Sequence, residues 1–148
     1  MFKTITASAV LFSVLCSSVF ADTAECPATA SIKQQQESMG YSYTAPGPGG
    51  SVWKGENPQA QAGDLATFKF TAAAYRAKSS QGNTDVVSCD FEGTAQDAFA
   101  RMTLYSFKDW KAAQGSKWQE QAPKPDEVAY CNATKQAECV FDYSALVK

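Results

Sequence analysis

Residues 65–92 read LATFKFTAAAYRAKSSQGNTDVVSCDFE, and this stretch decides the fold class of the chain. In its first part, LATFKFTAAAY, both phenylalanines share one strand face with Ala72 and Ala74, whereas Tyr75 falls on the other face. In its last part, DVVSCDFE, the second valine, the cysteine and the phenylalanine share a face. The intervening KSSQGNT has the composition of a turn. The stretch therefore predicts an antiparallel hairpin.

Further strands are predicted on both sides of this hairpin. The segment YSYT, which starts at Tyr41, alternates as a strand does, PGPGG forms a turn, and the chain is extended again around Trp53. Residues 99–105 are favoured as a strand by their β-branched and aromatic side chains, although Thr94 could instead open a helix. The last strand is predicted at residues 138–143.

Short helices are predicted at two places. Ser106 and Asp109 form a capping box, so we expect a helix from about Phe107 to Gln114 that ends at Gly115. A short surface helix is also compatible with residues 27–40, where an extended segment fits nearly as well. We therefore predict a mainly β, α+β fold, an antiparallel sheet of about five to seven strands with one or two short helices, stapled by two disulfides.

Residues 1–21, MFKTITASAVLFSVLCSSVFA, are typical of an export signal. Lys3 precedes a short apolar run, and Val19 and Ala21 occupy the −3 and −1 positions of a cleavage site before Asp22. The run is too short for a membrane-spanning anchor. An apolar N-terminal helix of the folded domain is the alternative. We expect residues 22–148 to form a single secreted domain.

Composition limits the partners of this domain. Without residues 1–21 it has 127 residues, and loss of Lys3, the only charge removed, changes the formal charge from −2 to −3. A mildly acidic chain with scattered lysines argues against nucleic acid and against adhesion to anionic membranes. The remaining chain has no second hydrophobic segment, so we expect no membrane span and a monomer.

Four cysteines remain after Cys16 is removed with the signal. An even number in an exported chain favours two disulfides, for which three pairings are open. We expect Cys131 to pair with Cys139 across a polar turn, and Cys26 to pair with Cys89 in the middle of the sheet. A zinc site is the alternative, but there is no CxxC pair and no histidine, so we expect no metal.

The absence of histidine also excludes most hydrolytic chemistry. A Ser-His-Asp arrangement is impossible, and no GxSxG, HExxH or phosphate-binding glycine loop occurs. Two acid pairs, Asp90 with Glu92 and Asp126 with Glu127, could support glycoside hydrolysis. Acids on the outward face of a strand are usually solvated, so we expect no catalytic residue, no cofactor and no enzyme activity.

Aromatic side chains are the remaining candidates for a site. We predict ligand contacts for Trp110, Trp118, Tyr105 and Trp53, because flat exposed rings bury much area at a low entropy cost. The alternative is that the tryptophans fill the core, which the position of Trp53 on a strand between turns favours. The polar neighbours of Trp110 and Trp118 leave the two alternatives evenly balanced there.

A resemblance runs through spaced residues of the N-terminal two thirds, namely Cys26-Pro27 with Ile32, Tyr43-Thr-Ala, Trp53-Lys-Gly, residues 68–75, and Ser88-Cys89 with Phe91. This set resembles a family of small exported gammaproteobacterial proteins whose domain has no assigned function. The resemblance covers about residues 26–104 and implies a β-rich fold and export, with no active-site residues. The C-terminal part is longer than in that family. The signal resembles those of type II secretion substrates of intracellular pathogens, which implies a host-directed role.

Three functions remain compatible with these observations. The first is a secreted, non-catalytic protein that binds a glycan, a lipid or a protein of the host or envelope, as a virulence factor would. The second is a periplasmic inhibitor or immunity-type protein. The third is a histidine-free hydrolase, which would need convergent acids in a deep pocket.

Overall fold

The computed structural model describes residues 22–77, 85–120 and 128–147. The predicted export signal, the predicted turn at residues 78–84, and the acid pair Asp126 and Glu127 lie outside these ranges.

The described chain is built almost entirely of strands. In chain order they are β1 (Asp22–Ala24), β2 (Lys33–Gln36), β3 (Tyr41–Pro46), β4 (Val52–Asn57), β5 (Lys69–Arg76), β6 (Val86–Glu92), β7 (Phe99–Tyr105), β8 (Phe107–Lys108), β9 (Lys111–Ala112), β10 (Gln119–Glu120), β11 (Ala129–Asn132), β12 (Phe141–Tyr143) and β13 (Ala145–Leu146). Within the described ranges, eight of them form a main sheet in the order β10-β11-β5-β6-β7-β4-β3-β2. β1, β12 and β9 form a small sheet, and β13 pairs with β8. All these pairings are antiparallel.

The predicted mainly β fold is confirmed, and its helical part consists of short 3₁₀ turns. In the described ranges these turns are Thr29–Ser31, Pro48–Gly50, Leu65–Thr67 and Gln136–Cys139. The strand predicted at residues 138–143 therefore begins only at Phe141. Residues 33–36 take the extended alternative that the sequence allowed, because they pair with β3.

The helix predicted at Phe107–Gln114 is wrong. This segment forms β8 and β9, which pair with β13 and β12. Ser106 and Asp109 have positive φ angles of 73° and 53°, which a right-handed helix cannot contain. Ser106 instead donates its backbone N–H to Asp85 O at 2.7 Å. Tertiary strand pairing has overridden the local capping signal.

The hairpin predicted in residues 65–92 is confirmed, with one change of face. β5 and β6 pair from Lys69↔Glu92 to Arg76↔Val86, but the register shifts between Phe70 and Ala72. A bulge of this kind inserts one extra residue into a strand, so every later side chain of that strand points to the opposite face of the sheet. Ala73 and Tyr75, not Ala72 and Ala74, therefore share the face of Phe70.

The core lies against the inner face of the main sheet, the face that carries Trp53, Phe91 and Met102. The smaller sheets supply Phe107, Phe141 and other rings to the same cluster of buried side chains. We call the opposite surface of the main sheet the outer face. Along β7, buried residues that face the core alternate with half-exposed residues that face the outer surface.

The predicted disulfide pairing is confirmed. Cys26 is bonded to Cys89, and Cys131 to Cys139, and all four residues are buried. Such cross-links indicate an oxidising, extracytoplasmic environment. Within the described ranges, no helical segment has both the length and the apolar character needed to span a bilayer.

Tyr43 carries a buried hydroxyl that no described residue satisfies. Its side chain is fully buried, and burial, followed by the charge of Asp64, raises its pKa to about 12. We expect Tyr43→Phe to stabilise the fold by about 1 kcal/mol near pH 8, because an unpaired buried hydroxyl is destabilising. The unfolded tyrosine ionises near pH 10, so wild-type stability should fall between pH 10 and about 12, and the variant should lose less.

Urea unfolding at pH 8 and pH 11 measures both effects, with Tyr130→Phe as the control for loss of a half-buried hydroxyl. A Tyr43→Phe variant that is less stable than wild type at pH 8 would mean that the hydroxyl has a partner.

Candidate functional site

An open groove of about 530 Å³ crosses the outer face of the main sheet. We call it the outer groove. It runs over β3, β4 and β7, and its lining residues are Ser42, Tyr43, Thr44, Lys54, Gly55, Glu56, Arg101, Thr103 and Tyr105.

Strand alternation places these side chains. In β7, Ala100, Met102 and Leu104 point into the core, so Arg101, Thr103 and Tyr105 face outward. In β4, Trp53 is buried, so Lys54 and Glu56 face outward. Lys54 lies opposite Thr103 and also opposite Thr44, which brings three strands together at the floor of the groove.

Gly55 permits the close approach of β4 to β7 under this groove. A Cβ atom at position 55 would lie 2.4 Å from the backbone oxygen of Arg101. No side chain can occupy that space unless the strands move apart. The sequence therefore specifies glycine here for packing of the groove floor.

Arg101 is held in place by Asp90 on the neighbouring strand. Its Nε donates to Asp90 Oδ1 at 2.7 Å and its Nη2 donates to Oδ2 at 2.8 Å. The Phe99 ring centroid lies 5.9 Å from the guanidinium carbon. Bidentate pairing of this kind orients the guanidinium plane at the groove wall. Both oxygens of Asp90, one member of the predicted acid pair with Glu92, are thus hydrogen-bonded to a cation.

The predicted ligand-binding residues lie in three different places. Tyr105 lines the outer groove. Trp53 lies on the opposite face of the sheet with 1% of its surface exposed, which is the core position that the alternative interpretation predicted. The alternation of β4 is the reason, since Lys54 and Glu56 take the outward positions. Trp110 and Trp118 lie together at another location.

Trp110 and Trp118 belong to an aromatic cluster at the edge of the core. Trp110 stacks on Tyr75 with ring centroids 4.1 Å apart and an interplanar angle of 5°, and Trp118 meets Trp110 edge-on at 5.0 Å. Both also contact Phe141. The Tyr75 hydroxyl donates to the Asp85 carboxylate, and burial together with this bond raises the pKa of Tyr75. The contacts with Tyr75, with Phe141 and between the two indoles use much of both indole rings for packing.

A second depression of about 450 Å³ adjoins this cluster, and we call it the side cleft. Its lining residues are Tyr75, Trp110, Lys111, Ala112, Glu120, Val128 and Ala129. The indole N–H groups of Trp110 and Trp118 are buried and have no acceptor among the described residues. The side cleft is the second candidate for a binding site.

Sequence reasoning missed most of the outer groove. Lys54, Glu56, Arg101 and Thr103 are ordinary polar residues in the chain, and only their alternation with buried neighbours marked them as outward-facing. Which strands lie side by side depends on the sheet order, in which β4 neighbours β7 across a long sequence separation.

The groove offers hydroxyl groups, two cations, a carboxylate and the ring of Tyr105 in a site that is open to solvent, whereas the ring of Tyr43 is buried. This set can hydrogen-bond and pair charges with a polar ligand. Among the residues that the structure describes, no group of three or more acidic or cysteine side chains is placed to hold a metal ion.

A family model described as a protein of unknown function, DUF3757, matches residues 21–142. The match extends beyond the residues 26–104 that carried the resemblance and includes Trp110, Trp118 and the Cys131–Cys139 disulfide. No curated protein and no solved structure shows significant similarity to the chain. The chain belongs to the DUF3757 family, whose function is unknown.

Proposed function

We propose that this protein is an exported, non-catalytic binding protein that recognises its ligand with the outer groove. The observation that carries the proposal is the set of outward side chains on β3, β4 and β7, where Lys54, Arg101 and Tyr105 surround one open depression. Ligand sites typically combine a concave surface with a few convergent polar groups and an aromatic ring.

The scaffold supports binding because strand pairing, a disulfide and an ion pair constrain the residues around the groove. The groove lies on paired strands, and the Cys26–Cys89 disulfide anchors the N-terminal segment to β6 beside it. The Arg101 side chain is already oriented by Asp90. A preformed site loses little conformational entropy on binding, so few contacts are sufficient for useful affinity.

The predicted export of the protein also supports the proposed binding function. The signal-like residues 1–21 and the disulfides favour passage through the periplasm, and we propose secretion from there to act on a host or envelope ligand. Detection in culture medium tests this destination, whereas retention in periplasmic extract would favour the inhibitor or immunity-type function.

If the ligand binds in the outer groove, substitution at Lys54 should weaken binding and substitution at Lys111 should not. Among ligands found on glycan, lipid and protein arrays, we expect Lys54→Gln together with Tyr105→Ala to weaken binding about tenfold or more, because a charge contact and a ring contact are lost. Lys111→Gln, in the side cleft, should leave the affinity unchanged. Circular dichroism of each variant checks that the fold is retained.

The reverse pattern would contradict the proposal. If Lys111→Gln weakens binding while the double variant binds as wild type does, the ligand occupies the side cleft beside Trp110. Turnover of an array compound that is abolished by a single acid substitution would make the protein an enzyme.

A further inference from the structure

The outer face carries a line of residues that pair across five neighbouring strands. Lys33 lies opposite Thr44, Thr44 opposite Lys54, Lys54 opposite Thr103, and Thr103 opposite Ser88. We call this line the basic row. It contains no carboxylate, and its two lysines and Thr44 are exposed. At its far end, Arg76 Nη1 donates to Ser88 Oγ at 3.0 Å.

The two cations of the basic row, Lys33 in β2 and Lys54 in β4, are separated by one intervening strand. Neighbouring strands lie about 4.8 Å apart, so the Cα atoms of Lys33 and Lys54 are separated by roughly 10 Å across the sheet. The side chain of the intervening Thr44 carries a hydroxyl group between them. The row crosses the outer groove and a neighbouring depression of about 350 Å³ that includes Lys33, and Thr44 lines both.

Carboxylates lie beside the row and not within it. Glu56 faces outward two residues after Lys54, and Glu37 accepts a hydrogen bond from the Ser42 hydroxyl at 2.6 Å. Asp90 is paired with Arg101. The outer face therefore carries two lysines along the basic row and, on the adjacent line, the carboxylate of Glu56 and the Arg101–Asp90 ion pair.

We propose that the basic row binds an extended acidic polysaccharide that carries about one carboxylate or sulfate group per disaccharide. This inference rests on the proposed function and names its ligand class. Lys33 and Lys54 pair with successive acidic groups, because their separation is comparable to the length of a disaccharide. Thr44 and Thr103 bond to the intervening hydroxyl groups, Glu56 accepts from others, and Tyr105 offers a ring to the flat face of a sugar.

Charge arrangement favours a polysaccharide over a nucleic acid. Phosphates along a DNA strand recur about every 3.4 Å of helix axis, which is far denser than the cations of the row. Glu56 beside the row repels a continuous phosphate backbone, whereas it accepts hydrogen bonds from sugar hydroxyl groups.

The test uses hyaluronan octasaccharides, which have one carboxylate per disaccharide, and chitin oligosaccharides of similar length as the neutral probe. By calorimetry at low salt we expect the wild-type protein to bind hyaluronan, and binding to weaken as salt is raised. Lys33→Gln and Lys54→Gln should each weaken binding about fivefold, and the double variant about 20-fold. Lys108→Gln, at an exposed lysine that lines neither the outer groove nor the side cleft, is the matched control and should bind as wild type does.

The outcomes separate this inference from the function on which it rests. If chitin binds as tightly as hyaluronan, or if neither lysine variant weakens binding while Tyr105→Ala does, the groove binds a ligand but the acidic class is wrong. If single-stranded DNA competes as well as hyaluronan, the row is a general anion site and the inference fails. If hyaluronan binds equally to the wild type and to all groove variants, both the inference and the groove are wrong.

Discussion

Removal of the Cys26–Cys89 disulfide is expected to lower the free energy of unfolding by about 4 kcal/mol. The two cysteines are 63 residues apart in sequence, so the bond removes much conformational entropy from the unfolded chain. Cys89 lies in the middle of β6, and the bond holds the N-terminal segment against this central strand. The measurement is urea unfolding of the Cys26→Ala/Cys89→Ala variant.

The second disulfide provides the matched control. Cys131 and Cys139 are only 8 residues apart, so loss of their bond should cost about 2.5 kcal/mol on the same entropic grounds. Two results would contradict this account, namely a Cys131→Ala/Cys139→Ala variant that loses as much stability as the first, or a wild-type melting curve that dithiothreitol leaves unchanged.

Replacement of Trp53 by alanine should destabilise the fold by about 4 kcal/mol, because it leaves a large cavity in the core. Trp53 has 1% of its surface exposed and lies in β4 directly beneath the outer groove. Since small domains are stable by only about 5–15 kcal/mol, this loss would lower the melting temperature by about 15 °C. Thermal melts followed by circular dichroism measure it, and Trp53→Phe gives a milder step if the alanine variant fails to fold.

Tyr105→Ala is the control on the other face of the sheet. Tyr105 is half-buried and lines the groove, so its loss should change stability much less than the loss of Trp53. A Trp53→Ala variant with wild-type stability and lost binding would show that this indole, and not Tyr105, meets the ligand.

Local sequence patterns were sufficient to predict the strands, but not to predict which face of the sheet each side chain occupies. The alternation in residues 85–92 predicted the burial of Val87, Cys89 and Phe91 correctly, because β6 contains no irregularity. In β5 the same reasoning failed beyond Phe70, since a bulge opposite β6 shifted the register. The alternation of apolar residues in the sequence does not reveal where a bulge inserts an extra residue.

The predicted helix failed for a related reason. Ser106 and Asp109 match a capping box, but their backbones take positive φ angles and their neighbours Phe107 and Lys111 pair with C-terminal strands. A capping signal contributes about 1 kcal/mol, which strand pairing and burial of Phe107 outweigh.

Composition and spacing by themselves determined the β-rich class and the absence of histidine chemistry, and they favoured the cysteine pairing that the structure confirms. These properties depend on residue types and on short-range alternation, which any chain carries before it folds. Only the tertiary structure decided where the aromatic rings lie and that Lys33, Thr44, Lys54 and Thr103 form one line. That line depends on the order and register of strands far apart in sequence, and packing of the whole core sets both.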